Sequence, residues 1–207
     1  MNIIRINENT KNVVITDDKG NKLTSKQLRK INENTKNEKA YLYKSPIGKL
    51  FLYADISNKY LTCLDFKGYK ESTKKIIKDE IDNPNIIKKA KKELDEYFKG
   101  KRKIFNIDLA LCGTDFQYLV WIETSKIPFG KVLTYSDIAK KVSNRNGSIA
   151  RAIGLAEGKN PISIIIPCHR VVGKNSKLTG YGGGIEKKEY LLKHEGFNID
   201  NLKIIKN

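Results

Sequence analysis

The 207-residue chain has no apolar run near the ~18 residues of a membrane-crossing helix, and no signal-like apolar segment follows Met1. We therefore expect no association with a membrane. Cysteine is scarce and forms an odd, scattered set at Cys63, Cys112 and Cys168. Such a set argues against a disulfide framework and predicts a protein of the reducing cytoplasm. Hydrophobic residues at 39% and charged residues at 30% predict a globular protein with its own core.

Nucleotide-binding motifs are also lacking. The loop Gly180–Gly184 reads GYGGG, but no Gly-Lys-Ser/Thr follows it, as a phosphate-binding loop requires. The loop also lacks the strand–GxGxxG–helix setting of a dinucleotide site. We predict that the protein uses no cofactor.

Acidic residues are under-represented, with 23 Asp and Glu against 40 Lys and Arg, which gives a net charge of +17. That excess favours a polyanionic partner, and nucleic acid before a membrane surface, because no basic amphipathic anchor stands out. A lysine-rich compositional bias is the alternative explanation, and the charge alone leaves both open.

The first 38 residues differ from the rest of the chain. They are polar and contain a verbatim repeat, INENTKN, at 6–12 and 31–37. One repeat of seven residues is too short for a solenoid, whose units span ~20–50 residues. We interpret 1–38 as an extension of unknown role, with a short strand at 12–16 and a short helix at 25–32.

Residues 39–111 predict a small α/β domain. Three segments rich in aromatic and branched residues, separated by turn-like sequences, predict an antiparallel sheet of three strands at 41–43, 49–54 and 60–66. A helix is predicted from the cap Asn85 to the stop Gly100, because its apolar residues fall on one face. Residues 104–111 are predicted to be extended.

Residues 112–197 predict a mostly helical domain, followed by a tail at 198–207. Helices are expected from Thr114 to Ser125, over 135–142 and over 148–157, and the last two form the outline of a helix-turn-helix. The third helix has a surface of small residues, with Arg151 as its long polar side chain before Glu157. Such a helix suits either close approach to a nucleic-acid groove or tight core packing.

The segment PISIIIPCHRVV (161–172) is the centre of the second domain. The apolar run before Pro167 predicts a buried strand that ends there and delivers Cys168 to a bend. Cys168 is then a candidate nucleophile, with His169 and Arg170 placed to favour the thiolate. A buried structural cysteine is the alternative. A last helix is predicted over 186–194, and Glu195 stands at its unfavourable, negative end, where a carboxylate that orients a histidine is one explanation.

Taken together, the residues of 40–196 resemble the O6-alkylguanine-DNA alkyltransferases. The matching pieces are IPFGKVLTY (127–135), ARAIG (150–154), NP (160–161), IPCHRVV (166–172), GYGG (180–183) and LLKHEG (191–196). The resemblance implies an α+β fold, with a ribonuclease-H-like N-terminal domain and a helix-turn-helix, winged-helix-like C-terminal domain. It implies DNA repair by irreversible, single-turnover transfer of a methyl or larger alkyl group from O6-alkylguanine in double-stranded DNA, with O4-alkylthymine as a second candidate substrate, by a protein that acts as a monomer.

The resemblance also implies a role for individual residues. Cys168 would accept the alkyl group, His169 would act as its base through a water, and Glu195 would hold that histidine. Tyr135 would donate a hydrogen bond to the leaving guanine, and Asn160 would brace the turn beside the cysteine. Arg151 would fill the gap left by the rotated nucleotide. The remaining implied contacts are with DNA through Ser148, Ala150 and Gly154, and with the base through Val171, Tyr181 and Gly182.

Three departures from the family pattern stand out. Gly182 replaces a usual serine, and Ser163 stands where some relatives have proline, which bears on tolerance for bulky alkyl groups. The metal cluster of some relatives has no counterpart, since His169 and His194 are the only histidines. Two other functions stay open: a cysteine hydrolase or amidotransferase that turns over, and a DNA binder or lesion sensor without transfer activity.

Overall fold

The computed structural model describes residues 3–5, 39–55, 57–67, 75–77, 83–143 and 149–205. The chain forms two compact units, 1–114 and 115–207. The strand predicted at 12–16 and the helix predicted at 25–32 lie outside the described residues.

The first unit is built on a six-stranded sheet. Its strands are β1 (Ile3–Arg5), β2 (Lys39–Ser45), β3 (Gly48–Ala54), β4 (Leu61–Asp65), β5 (Lys75–Ile77) and β6 (Asp108–Ala110). They lie in the order β1-β6-β4-β3-β2-β5. The predicted antiparallel meander is confirmed as β2-β3-β4, and its tight turn between β2 and β3 uses Gly48 at φ 106°.

The predicted count of three strands was too small. β5 adds to β2 and β6 adds to β4, both in parallel, and β1 pairs with β6. β6 lies within the stretch 104–111 that was predicted to be extended. β1 and β5 have three residues each, which is too short to show the alternation by which a strand is recognised in a sequence. β1 moreover comes from the segment interpreted as an extension, so part of that segment belongs to the sheet.

Helix α1 (Asn85–Phe98) packs on the meander through an apolar stripe. Its buried residues include Ile87, Ala90, Leu94 and Tyr97, which recur with the spacing of one helical face. The predicted cap is corrected: Pro84 precedes the helix as its cap residue and Asn85 is the first helical residue. A proline fits there because the first N–H groups of a helix have no partner within the helix.

The described residues of the second unit form four α-helices, in confirmation of the α+β class. They are α2 (Asp115–Ser125), α3 (Tyr135–Val142), α4 (Ala150–Glu157) and α5 (Ile185–His194). Trp121 of α2 is buried, and its indole Nε1 donates to the carbonyl of Ala156 in α4 over 3.0 Å. Helix α3 begins with a capping box, in which Thr134 and Asp137 each bind the other's backbone N–H.

Short extended pieces complete this unit. β7 (Leu133–Thr134) pairs in parallel with β8 (Val171–Val172), which follows a 3₁₀ turn at Cys168–Arg170. A second 3₁₀ turn spans Lys174–Ser176. The predicted tail forms an antiparallel hairpin of β9 (Asn198–Asp200) and β10 (Lys203–Ile205). No helix among the described residues is both long and apolar enough to cross a membrane.

Candidate active site

The segment before Cys168 is buried as predicted, but it is not a strand. Between Ile162 and Ile166 the chain turns, with an isolated bridge between Ser163 and Ile166 and with Ile164 at φ 72°. A β-branched residue with positive φ is strained. The predicted strand is wrong because this backbone closes a turn, in which the N–H of Ile166 donates to the carbonyl of Ile162, and because it also binds the side chain of Asn160.

Asn160 connects that segment to the cysteine. Its Oδ1 accepts from the N–H of Ile162 (3.0 Å), and its Nδ2 donates to the carbonyl of Ile166 (2.8 Å). The same Nδ2 lies 3.1 Å from the Sγ of Cys168, where it can donate a hydrogen bond to sulfur. One amide therefore fixes the turn and contacts the candidate nucleophile.

Cys168 lies in a largely buried place, 7% exposed, at the start of the 3₁₀ turn. Burial, reinforced by the charge of Glu157, raises the pKa of its thiol to about 12, against the opposing effects of Asn160 and Lys188. The side chains of His169 and Arg170, which were expected to favour the thiolate by charge or as a base, both bind Glu195, so the positive charge of Arg170 is compensated there. At neutral pH Cys168 of the free protein is therefore a protonated thiol, and the proton must be removed for the sulfur to react as a nucleophile.

His169, Arg170 and Glu195 form one buried network. The Nε2 of His169 lies 2.9 Å from Oε1 of Glu195, and Arg170 donates through Nε and Nη2 to the same carboxylate. Arg170 also donates from Nη1 to the carbonyl of Ile127 over 2.6 Å. The N–H of Gly130 is directed at Oε2 of Glu195. This network explains why a carboxylate stands at the unfavourable end of α5.

The network fixes the state of the histidine. Burial lowers the pKa of His169, and its side chain is fully buried, so the neutral form is preferred. Burial acts to raise the pKa of Glu195, but hydrogen bonds and charges from His169 and Arg170 outweigh it and lower that pKa to about 2. With Nε2–H donating to the carboxylate, Nδ1 of His169 is the basic atom, and it has no hydrogen-bond partner among the described residues.

Tyr135 and the predicted base-binding residues surround the 3₁₀ turn in the chain's second unit. Tyr135 is the first residue of α3, and its hydroxyl accepts a hydrogen bond from Thr179 (3.1 Å); burial raises its pKa. The Tyr181 ring stands edge-on to His169 with centroids 6.5 Å apart. Val171 is buried in β8, and a Cβ added at exposed Gly182 would meet no atom within 4 Å. Serine would therefore fit at Gly182 without a clash.

Helix α4 carries the residues predicted to meet DNA. Arg151 is exposed, Ala150 and Gly154 are half-buried, and Ser148 lies outside the described residues. A Cβ at Gly154 would lie 3.7 Å from the ring of Tyr135, an ordinary van der Waals distance, so this position of α4 faces Tyr135 and would also accept alanine. Leu155, 67% exposed and one helical turn after Arg151, extends the same face, and the sequence interpretation did not include it.

Two buried ionisable groups were also missed. Lys188 of α5 is fully buried, and its Nζ donates to the carbonyl of Val171 over 2.5 Å and lies 6.0 Å from the Tyr135 ring centroid. Burial lowers the pKa of Lys188 to about 8. Glu157, at the end of α4, accepts a hydrogen bond from the buried Thr124 hydroxyl, and burial raises its pKa to about 7.

Both residues left a signal in the sequence. Lys188 occupies the apolar stripe of α5 with Leu191 and Leu192, where a lysine is unexpected. Glu157 is the last residue of α4 and is followed by Gly158. Its carboxylate therefore stands at the unfavourable, negative end of a helix, as the carboxylate of Glu195 does. Among the described residues, no group of three or more His, Cys, Asp or Glu side chains is arranged to hold a metal ion.

Comparison with known proteins covers both units. A family model described as 6-O-methylguanine DNA methyltransferase, ribonuclease-like domain, matches residues 39–111, and the model of the DNA binding domain matches 115–197. The methylated-DNA–protein-cysteine methyltransferase of Methanosarcina acetivorans is 43% identical over 157 residues, 75% of this chain and 96% of the relative. The Haemophilus influenzae protein of that name is 39% identical over 156 residues, 74% and 83% of the two chains. The crystal structure of Mycobacterium tuberculosis OGT in complex with DNA gives a TM-score of 0.66 at 40% identity, over 76% of this chain and 92% of that one.

Proposed function

The chain belongs to the 6-O-methylguanine DNA methyltransferase family and repairs DNA by alkyl transfer to a cysteine, and we propose that this cysteine is Cys168. The observation that carries the proposal is the network beside it. Of the three cysteines, Cys168 is the one followed by a histidine whose Nε2 is held by a buried carboxylate. Cys63 lies buried in the sheet of the first unit, and Cys112 lies exposed after β6.

The donor we propose is O6-alkylguanine in double-stranded DNA, with O4-alkylthymine as a second substrate. The sulfur forms a bond to the alkyl carbon while the carbon–O6 bond breaks, and that bonding pair moves onto the guanine. The thiol proton passes through a water to Nδ1 of His169, and Glu195 stabilises the resulting imidazolium. Tyr135 donates a proton to the leaving base and is reprotonated in turn. Overall, the thiol hydrogen is exchanged for the alkyl group.

Since the thiol has a pKa of about 12, this proton transfer is a necessary part of the reaction. It requires a base with a free lone pair near the sulfur, and the neutral His169 provides one at Nδ1. The Nδ2 of Asn160, 3.1 Å from the sulfur, stabilises the thiolate as it forms. The product is a thioether, which water does not cleave, so each molecule acts once.

Access to O6 requires that the nucleotide leave the duplex, at a cost of a few kcal/mol. We propose that α4 lies against the minor groove, with the exposed Arg151 in the gap and with Ser148, Ala150 and Gly154 at the backbone. Tyr181, Gly182 and Val171 then line the pocket for the base. We also propose that the protein acts as a monomer in the cytoplasm, where reducing conditions keep its three cysteines free.

The test is intact-mass spectrometry after incubation with an excess of O6-methylguanine duplex. We expect the mass to rise by one methylene unit, with the methyl group on Cys168, and then to stop. Cys168→Ala should show no gain while it still binds the duplex, and Cys112→Ala should react as the wild type does. Repeated turnover by unmodified protein would instead identify a hydrolase, and a methyl group on another cysteine would contradict the assignment.

A further inference from the structure

A second buried carboxyl group, that of Glu157, acts electrostatically on the thiol of Cys168. Its side chain is 7% exposed, and the hydroxyl of Thr124 donates to Oε1, while Oε2 has no partner among the described residues. The backbone of Glu157 is hydrogen-bonded to a site residue, because the N–H of Asn160 donates to the carbonyl of Glu157 over 3.0 Å. The charge of Glu157 acts on Cys168, which it disfavours as an anion. The roles proposed above for the site leave Glu157 without a function.

The charges around Cys168 show what Glu157 can do. Arg170 and Glu195 pair with one another and compensate each other's charge. Glu157 interacts electrostatically with three titratable groups: Cys168 in the 3₁₀ turn, Lys188 of α5 and Tyr135 of α3. Helix α2 contributes the hydroxyl of Thr124, which donates a hydrogen bond to Glu157. Lys188 is therefore the cation that favours both anions, the carboxylate of Glu157 and the thiolate of Cys168.

We propose that Glu157 controls the reactivity of Cys168, in that alkyl transfer requires Glu157 as the neutral acid and is suppressed when Glu157 ionises. With Glu157 neutral, the ammonium group of Lys188 balances the thiolate, and this part of the site has no net charge. With Glu157 ionised, two buried anions share one cation, and the thiolate is disfavoured. The effect of Glu157 on transfer rests on the proposed role of Cys168, whereas its effect on the acidity of the thiol does not.

The titration of Glu157 falls near neutral pH, so the control operates in the range where the protein works. Burial raises the pKa of Glu157 to about 7, and the Thr124 hydroxyl and Lys188 oppose that rise. Burial lowers the pKa of Lys188 to about 8, so half of its ammonium groups have lost their proton at that pH. The informative range is therefore from about pH 6 to about pH 8.

The test is Glu157→Gln, which preserves shape and can still accept from Thr124. The single-turnover rate of methyl transfer is measured from about pH 6 to about pH 8, in parallel with the rate at which iodoacetamide labels Cys168, read by peptide mass spectrometry. We expect the ratio of the variant rate to the wild-type rate to rise over this range, up to about tenfold for each reaction. A tenfold change is expected when a like charge raises the pKa of the thiol by about one. The control Glu189→Gln removes the same charge from the surface of α5 and should give a flat ratio.

Thr124→Val provides an independent variant. Loss of the hydroxyl donor makes the Glu157 carboxylate harder to form, so the onset of suppression should move to higher pH. A Glu157→Gln ratio that stays constant with pH, or a rate below wild type at every pH, overturns the proposal. A rising ratio in labelling without any methyl transfer would uphold the control of the thiol by Glu157 and refute the proposed function alone.

Discussion

Replacing Glu195 by glutamine removes the charge against which the buried Arg170 and His169 are held. Glutamine has nearly the same shape, so the change tests charge and not packing. The pKa of Glu195 lies at about 2 instead of 4.5, and each pH unit corresponds to about 1.4 kcal/mol. We therefore expect the variant to lose about 3 kcal/mol of unfolding free energy at neutral pH, the low end of the ~3–5 kcal/mol for breaking a buried ion pair.

The pH dependence follows from the sign of the shift. The carboxyl of Glu195 has a lower pKa in the folded protein than in the unfolded chain, so its contribution is complete above pH 4.5. It is lost as the pH falls from there towards about 2, because the folded state then resists a proton that the unfolded chain takes up. The free energies of wild type and variant should thus converge on acidification.

Urea unfolding followed by tryptophan fluorescence measures this difference. Trp121 is the only tryptophan, and it lies buried in the same unit as Glu195, so its signal reports on that unit. Glu189→Gln is the control, since its partner Lys193 is half exposed and the pair should contribute less than ~1 kcal/mol. A loss under ~1 kcal/mol for Glu195→Gln, or a loss of equal size at pH 7 and at about pH 3, would refute the reasoning.

Three further predictions concern the same unit. Glu157→Gln should show the opposite pH dependence, because the folded pKa of Glu157 is raised to about 7; relative to wild type it should gain about 2–3 kcal/mol between about pH 4 and pH 8 in urea unfolding. Arg151→Ala should slow repair of duplex by about tenfold or more but barely affect reaction with free O6-alkylguanine base, and equal losses on both substrates would exclude a role in extrusion. Tyr135→Phe should lower the single-turnover rate by about 100-fold without weakening duplex binding by anisotropy, whereas the exposed control Tyr190→Phe should leave both unchanged.

Elements with a clear sequence pattern were predictable. The apolar residues of α1 recur with helical spacing, and β3 contains the apolar run 50–54 between turn-like sequences, so both were placed to within a residue or two. β5 has three residues and owes its conformation to pairing with β2, and β6, within the stretch predicted to be extended, owes its place in the sheet to β4. Such pairing is a property of the assembled sheet, which local sequence does not encode.

The buried charges divide in the same way. Cys168, His169 and Glu195 belong to motifs that identify a family, and the resemblance placed them in one site. Glu157 and Lys188 lie outside the motifs that match the family, and their importance depends on their burial. Helical periodicity indicates that burial for Lys188 but not for Glu157. Their pKa values arise from desolvation by the surrounding chain, and desolvation can be assessed only once the packing is known.

The strand predicted before Pro167 is wrong, but the bend predicted at Cys168 is present as a 3₁₀ turn. Had an extended chain continued through Arg170, Cys168 and Arg170 would point to one face and His169 to the other, so the histidine would be directed away from the sulfur's side. The 3₁₀ turn instead spreads three successive side chains around its axis, and all three are buried. His169 and Arg170 can then reach the same carboxylate while Cys168 turns to Asn160. The strained turn at Ile164 and the hydrogen bonds of Asn160 hold the chain in this form. The residues that exclude a regular strand are therefore the ones that place Cys168 and His169 for their proposed roles as nucleophile and base.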